Sequence, residues 1–217
     1  MKTLKQIILG VILSSLVFSS FSFLPSKKSF TQAETVTFSK TYTHQEVISK
    51  LDPEDRFFTL VHMENTYPES SKLGSCHEAD LESLWNYIRS ESFRGKVQED
   101  LIIAAGVEAK DQMVPLYAIR KSASNDVFPL QQDIDEVSVR KSDHEENYAL
   151  LISFSGSGAE KWASMTRMNK GKNIAILFNG KVLTAPRVHE EIKNGECMIS
   201  GKFTESEINK LKAVLEN

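Results

Sequence analysis

Apolar positions are arranged in two rhythms along this chain, and the clearest block covers residues 173–206, NIAILFNGKVLTAPRVHEEIKNGECMISGKFTES. Ile174–Phe178 is an apolar run that predicts a strand. Asn179-Gly180 follows, the pair that most readily supplies two positive φ angles. A tight hairpin with Lys181–Thr184 as return strand is therefore expected. Ala185-Pro186 ends that strand, because proline has no N–H to give to a ladder. Asn194-Gly195 marks a second turn, and 197–200 reads as a short strand from which Gly201 releases the chain. Phe203 precedes Thr204, which with Glu207 has the spacing of a capping box. A closing helix over 205–215 follows, with Ile208, Leu211 and Leu215 inward.

The same rhythms read backwards through the chain. Val36, Phe38 and Tyr42 alternate, as in a first strand. Thr43 and Glu46 cap a short helix that carries Val47, Ile48 and Leu51 and stops at Asp52-Pro53. Residues 57–63 read as a strand and residues 65–75, rich in Ser, Pro and Gly, as a loop. Leu81, Leu84, Trp85 and Ile88 fall at i, i+3, i+4 and i+7, the apolar face of a helix over 79–89. Residues 101–107, 114–120 and 148–154 predict three more strands. Ser157 and Glu160 have the spacing of a third capping box, for a helix over 159–168. That helix turns back at Asn169-Lys170-Gly171-Lys172.

Composition changes this picture little, because the chain of 217 residues has ordinary apolar and charged fractions and a formal net charge of −3. No dense basic stripe supports nucleic-acid binding. The amino terminus stands apart. Lys2 and Lys5 precede an uncharged, mostly apolar stretch over residues 7–24. This predicts a secretory leader, residues 1–33, cleaved after Ala33, with an uncleaved membrane anchor as the alternative. Export would put Cys76 and Cys197 where disulfides persist, and both a bridge and two separate buried thiols are compatible with two cysteines.

Catalytic chemistry has weak support. The histidines are scattered, and neither His77 beside Cys76 nor His189 before Cys197 has a diagnostic spacing. A small thiol or hydrolytic enzyme built on Cys197 and His189 is kept as the second functional class. Gly156-Ser157-Gly158 opens a helix, but no Gly-Lys-Ser/Thr follows and a P-loop is excluded. No metal or cofactor site is expected, and no pair of carboxylates stands out as general acid and base.

The run AIL-x-NGKVLTAP, then I-x-NG, then ISGKFTESE-x-x-K-L resembles the head subdomain of SecD, a subunit of the bacterial protein-translocation machinery. The residues that carry the resemblance are Gly158, Ala159, Thr166, Gly171, Ala175, Asn179, Gly180, Ala185, Pro186, Gly195, Gly201, Phe203 and Thr204. Leu116-Tyr117-Ala118-Ile119-Arg120 and Pro129-Leu130-Gln131-Gln132-Asp133-Ile134 extend it towards the amino end. The resemblance implies an α+β fold, an antiparallel sheet-rich head unit with a packed helix on a small ferredoxin-like α/β base. Residues 34–132 would form the base and 133–217 the head with its closing helix. It also implies a non-enzymatic, exported domain of the periplasm or cell envelope. Such a domain would contact unfolded polypeptide or an envelope protein, Sec translocon components among them. The membrane spans that couple SecD to proton flow have no counterpart here, nor has the family's Asp-Leu-x-Gly-Gly segment, so that activity is not carried over.

Overall fold

A computed structural model describes residues 34–64, 67–107, 109–122, 128–141 and 147–217. The expected leader, with its expected cleavage site and the alternative anchor, falls in residues 1–33 and lies outside these residues. In chain order the elements are β1 (Val36–Lys40), α1 (His44–Ile48), α2 (Phe57–Leu60), β2 (Lys72–His77), α3 (Leu81–Arg89), α4 (Glu91–Arg94), β3 (Leu101–Ala105) and β4 (Met113–Arg120). Then come β5 (Ile134–Lys141), β6 (Tyr148–Phe154), α5 (Gly156–Met168), β7 (Ile174–Phe178), β8 (Lys181–Thr184), β9 (Glu196–Phe203) and α6 (Glu205–Glu216). Among the described residues the strands form three antiparallel three-stranded sheets, ordered β2-β4-β3, β1-β7-β8 and β5-β6-β9. The fold is α+β, as expected.

The first sheet has a split βαβ arrangement: β2 leads through α3 and α4 to β3, and β4 pairs between them. Alternate residues of this sheet, Leu73, Cys76, Leu101, Ile103, Leu116 and Ala118, bury one face against Val47, Phe57, Leu84 and Phe93 of the helices. The last sheet buries Val137, Leu150, Ile152, Phe154, Cys197, Ile199 and Phe203 against Trp162 and Met165 of α5 and Ile208, Leu211 and Leu215 of α6.

The middle sheet is the wall between them. Ile174 and Ile176 of β7 enter the core under the last sheet, while Ala175 and Leu177 meet Ala104 and Ile119 of the first. A strand covered on both faces reads as an unbroken apolar run, which is why residues 174–178 lack alternation. Its turn has Asn179 at φ 49° and Gly180 at φ 77°, the pair of positive angles a two-residue hairpin needs. Asn173, just before β7, ties the sheets together with three bonds, two of them buried. Its Oδ1 accepts the Ser71 N–H (3.0 Å), its Nδ2 donates to the Ala185 carbonyl (2.5 Å) and its carbonyl accepts the Thr41 hydroxyl (2.7 Å).

Three expectations need correction. Residues 57–63 are not a strand: Phe57 and Val61, one helical turn apart, are both buried, and the Asp55 carboxylate accepts the Phe57 N–H (2.8 Å) to start α2. The loop expected over 65–75 ends early, because Lys72–His77 is β2. A register shift between Lys72 and Gly74, with Gly74 at φ 143°, hides its alternation. The third capping box is absent, and α5 begins one turn earlier, at Gly156. Ser155 precedes it, and its hydroxyl donates to Gln132 (2.9 Å) rather than capping the helix. The boxes at Thr43/Glu46 and Thr204/Glu207 are both formed.

Asp55 also sets a pH dependence. Its side chain is fully buried and accepts from Tyr87 Oη (2.5 Å) and Lys96 Nζ (2.6 Å). Burial alone would raise its pKa, but the bonds from Lys96, Tyr87 and Phe57 outweigh it and hold the carboxyl below its ordinary value. The unfolded chain then binds this proton more readily. The stabilisation is present above the ordinary carboxylate range and is lost as pH falls through the depressed value. The urea midpoint is expected to drop as pH falls below the ordinary carboxylate range, about pH 4, with a shallower drop in Asp55→Asn. Equal slopes in the two proteins would remove Asp55 from the acid response.

Candidate functional site: a groove between the sheets

The second face of the first sheet is only partly covered. Towards Arg120 it meets β7 and β8 through Ala104, Tyr117 and Ile119. Towards Met113 it opens into a groove of about 560 Å³. Ser75, Met113, Pro115 and Tyr117 form the floor, from β2 and β4, which pair Ser75 with Pro115. Val182, Leu183 and Thr184 of β8 and residues Ser200, Gly201, Lys202 and Phe203 of β9 form the facing wall. Gly106, Val107 and Lys110 close one end, where the Val107 N–H donates to the Val182 carbonyl (3.0 Å).

β9 is an edge strand, and it bulges at the groove. Leu150 faces Ile199 and Tyr148 faces Phe203, so a step of two residues on β6 matches a step of four on β9. Ser200, Gly201 and Lys202 leave the ladder there, as residues in a bulge do. The reading of 197–200 as a strand released at Gly201 detected this irregularity but not that β9 resumes and runs to Phe203.

Charge in the groove is mostly positive. Glu64 is held by Lys72 Nζ (2.5 Å) and by the Ser75 hydroxyl. Burial works to raise the pKa of Glu64, but these two bonds outweigh it and keep the carboxylate ionised below its usual range. Lys110 and Lys202 carry no ion pair among the described residues.

The motif residues lie mainly in the frame around this groove. Gly201 and Phe203 line it directly, while Ala185 and Pro186 follow its β8 wall. Gly158 lets α5 approach the last sheet: a Cβ there would stand 2.0 Å from the Asp133 carbonyl oxygen. Gly195, at φ 68°, passes against Ala159 in the same way, and Gly171 turns at φ 82°. Thr166 is buried and useful as a hydroxyl, accepting the Ile192 N–H (3.0 Å) and donating to the Trp162 carbonyl (3.0 Å). Ala175 is buried in β7, and Thr204 caps α6.

The alternative thiol site is not assembled. Cys197 is buried in the core under the last sheet, and burial pushes its thiol up to about 12, far from thiolate formation at neutral pH. His189 is exposed, and no hydrogen bond joins the two residues among the described ones. Cys76 lies in the other core and is also a free thiol, raised by burial and by Asp80, so the bridge that two cysteines permitted is not formed. Both thiols are expected to resist Ellman's reagent in the native protein and to react once it is denatured without reductant. Fewer than two reactive thiols after denaturation would contradict this arrangement. Among the described residues no cluster of three or more His, Cys, Asp or Glu side chains could hold a metal, and no helix is long and apolar enough to cross a membrane.

Residues 122–217 match the family model of the SecDF P1 head subdomain. The protein translocase subunit SecD of Acidaminococcus fermentans is 39% identical over 80 residues, 37% of this chain and 19% of that protein. SecD of Rickettsia bellii is 31% identical over 83 residues, again 37% of this chain and 16% of the relative. SecDF of Thermus thermophilus is 35% identical over 66 residues, 30% of this chain and 9% of the other. The chain thus spans less than a fifth of the length of these curated relatives. A solved structure of the membrane component SecDF that enhances protein export covers 85% of this chain and 62% of its own, at 20% identity and a TM-score of 0.41. Residues 122–217 are thus similar to the SecDF P1 head subdomain. The matched region supplies β7, β8 and β9, and with them the wall of the groove.

Proposed function

We propose that this protein is a non-enzymatic, exported binding domain of the cell envelope, accessory to protein export, whose groove takes extended polypeptide. The observation that carries this is the bulged outer edge of β9 over an apolar floor of Met113, Pro115 and Tyr117. An extended chain laid along such an edge gains main-chain hydrogen bonds, and alternate side chains reach the floor. Ordering a flexible ligand consumes much of the gain, so dissociation constants around micromolar or weaker, about 8 kcal/mol or less, are expected. The test is titration of residues 34–217 with a reduced, unfolded model polypeptide, followed by amide shifts. Shifts gathered at Tyr117, Leu183 and Gly201 are expected. Their absence at millimolar ligand, or shifts confined to the helical side of the first sheet, would overturn the proposal.

A further inference from the structure

The charges of the groove narrow what it can accept. Three lysines, Lys72, Lys110 and Lys202, and one carboxylate, Glu64, line it, a formal sum of +2 in a chain whose overall formal charge is −3. The local sign is therefore opposite to that of the molecule. Glu64 has little left to offer a ligand, because one oxygen is bonded to Lys72 and the other to Ser75. Elsewhere Lys96 is spent on Asp55, Lys161 on Asp133 and Lys172 on Glu46. Lys110 and Lys202 have no such partner among the described residues.

Lys110 stands at the closed end of the groove and Lys202 on its β9 wall. Lys110 opens the tight turn between β3 and β4, where its N–H and carbonyl both bond to Met113 (3.0 and 2.9 Å) and Asp111 and Gln112 have φ of 53° and 63°. Lys202 sits in the β9 bulge. An extended chain laid in the groove would turn every second side chain to the apolar floor and the others to the rim that carries the two ammonium groups.

Resting on the polypeptide-binding reading above, we propose that the groove selects extended segments in which acidic residues alternate with apolar ones. The same field disfavours basic segments. The chain's own first 33 residues hold Lys2, Lys5, Lys27 and Lys28 and no Asp or Glu, so a leader of this kind is repelled where an acidic segment is drawn in.

The experiment uses residues 34–217 and three short fluorescent peptides, alternating valine with glutamate, with glutamine or with lysine, followed by anisotropy. The glutamate peptide is expected to bind about tenfold more tightly than the glutamine peptide at low salt, and the lysine peptide most weakly. The preference should shrink as salt rises through physiological strength. In the double variant Lys110→Gln/Lys202→Gln the glutamate and glutamine peptides should bind alike. Equal affinities for all three peptides on the unaltered protein would overturn the selectivity and leave the groove as a polypeptide site. A preference that survives in the double variant would place the selectivity elsewhere and overturn it too. Binding of none of the three would overturn both the selectivity and the reading beneath it.

Discussion

Trp162→Ala is expected to destabilise the protein by about 3–5 kcal/mol, the usual range for emptying a buried tryptophan site. Trp162 is 4% exposed. Its ring stacks on Phe128 (centroids 6.2 Å apart, 9° between planes) and meets Phe38 at 5.5 Å and Phe154 at 5.8 Å. Its Nε1 donates to the Glu196 carbonyl (3.0 Å). The four rings come from β1, the segment before β5, β6 and α5, so the cavity would open where four parts of the chain meet, with little freedom to collapse. Trp162→Phe should restore most of the packing but not the hydrogen bond. Urea unfolding at constant m value measures both variants. A loss below about 1 kcal/mol in Trp162→Ala would show that this cluster is not the centre of the core.

The second large effect is expected at Asn173. Asn173→Ala leaves the buried Ser71 N–H, at the junction of the middle and first sheets, and the part-buried Ala185 carbonyl, beside β8, without their partners. Each buried group left unpaired costs about 1–3 kcal/mol, so a total of about 2–5 kcal/mol is expected. Hydrogen exchange separates this from general loosening: the Ser71 amide should exchange much faster, while amides of β6 change only with global stability. Unchanged exchange at Ser71 would mean that water already serves that group.

The parts of this fold that sequence revealed are those governed by local chemistry. Asn179-Gly180 allows few turns, Thr43/Glu46 and Thr204/Glu207 satisfy orphan helix amides, and an apolar run such as Ile174–Phe178 has few places to go. The misreadings arose where a distant partner decides. Phe57 joins a helix because the Asp55 carboxylate, itself held by Lys96, accepts its N–H. β5 was not singled out because, as an edge strand, it buries only Val137 fully. The capping box at Ser157 had the right spacing, but Gly158 is drawn against Asp133 and the helix starts before it. The turn and cap residues of the candidate site were legible. The groove was not, because its floor and walls come from β2, β4, β8 and β9, and no local pattern encodes which faces a tertiary fold leaves open.

The pairing of β1 with β7 has a consequence for how the molecule comes into being. Val36 lies opposite Phe178 and Lys40 opposite Ile174, so the first strand waits for a partner far along the chain. Contacts of this sequence separation close slowly, because the intervening chain must be gathered before they reward it. Until residues 174–178 arrive, Phe38 has no strand beside it and the wall between the two cores does not exist. A chain threaded through a membrane amino end first would therefore keep β1 unpaired until β7 had followed it. The wall between the two cores would close only when the β7–β8 hairpin emerged.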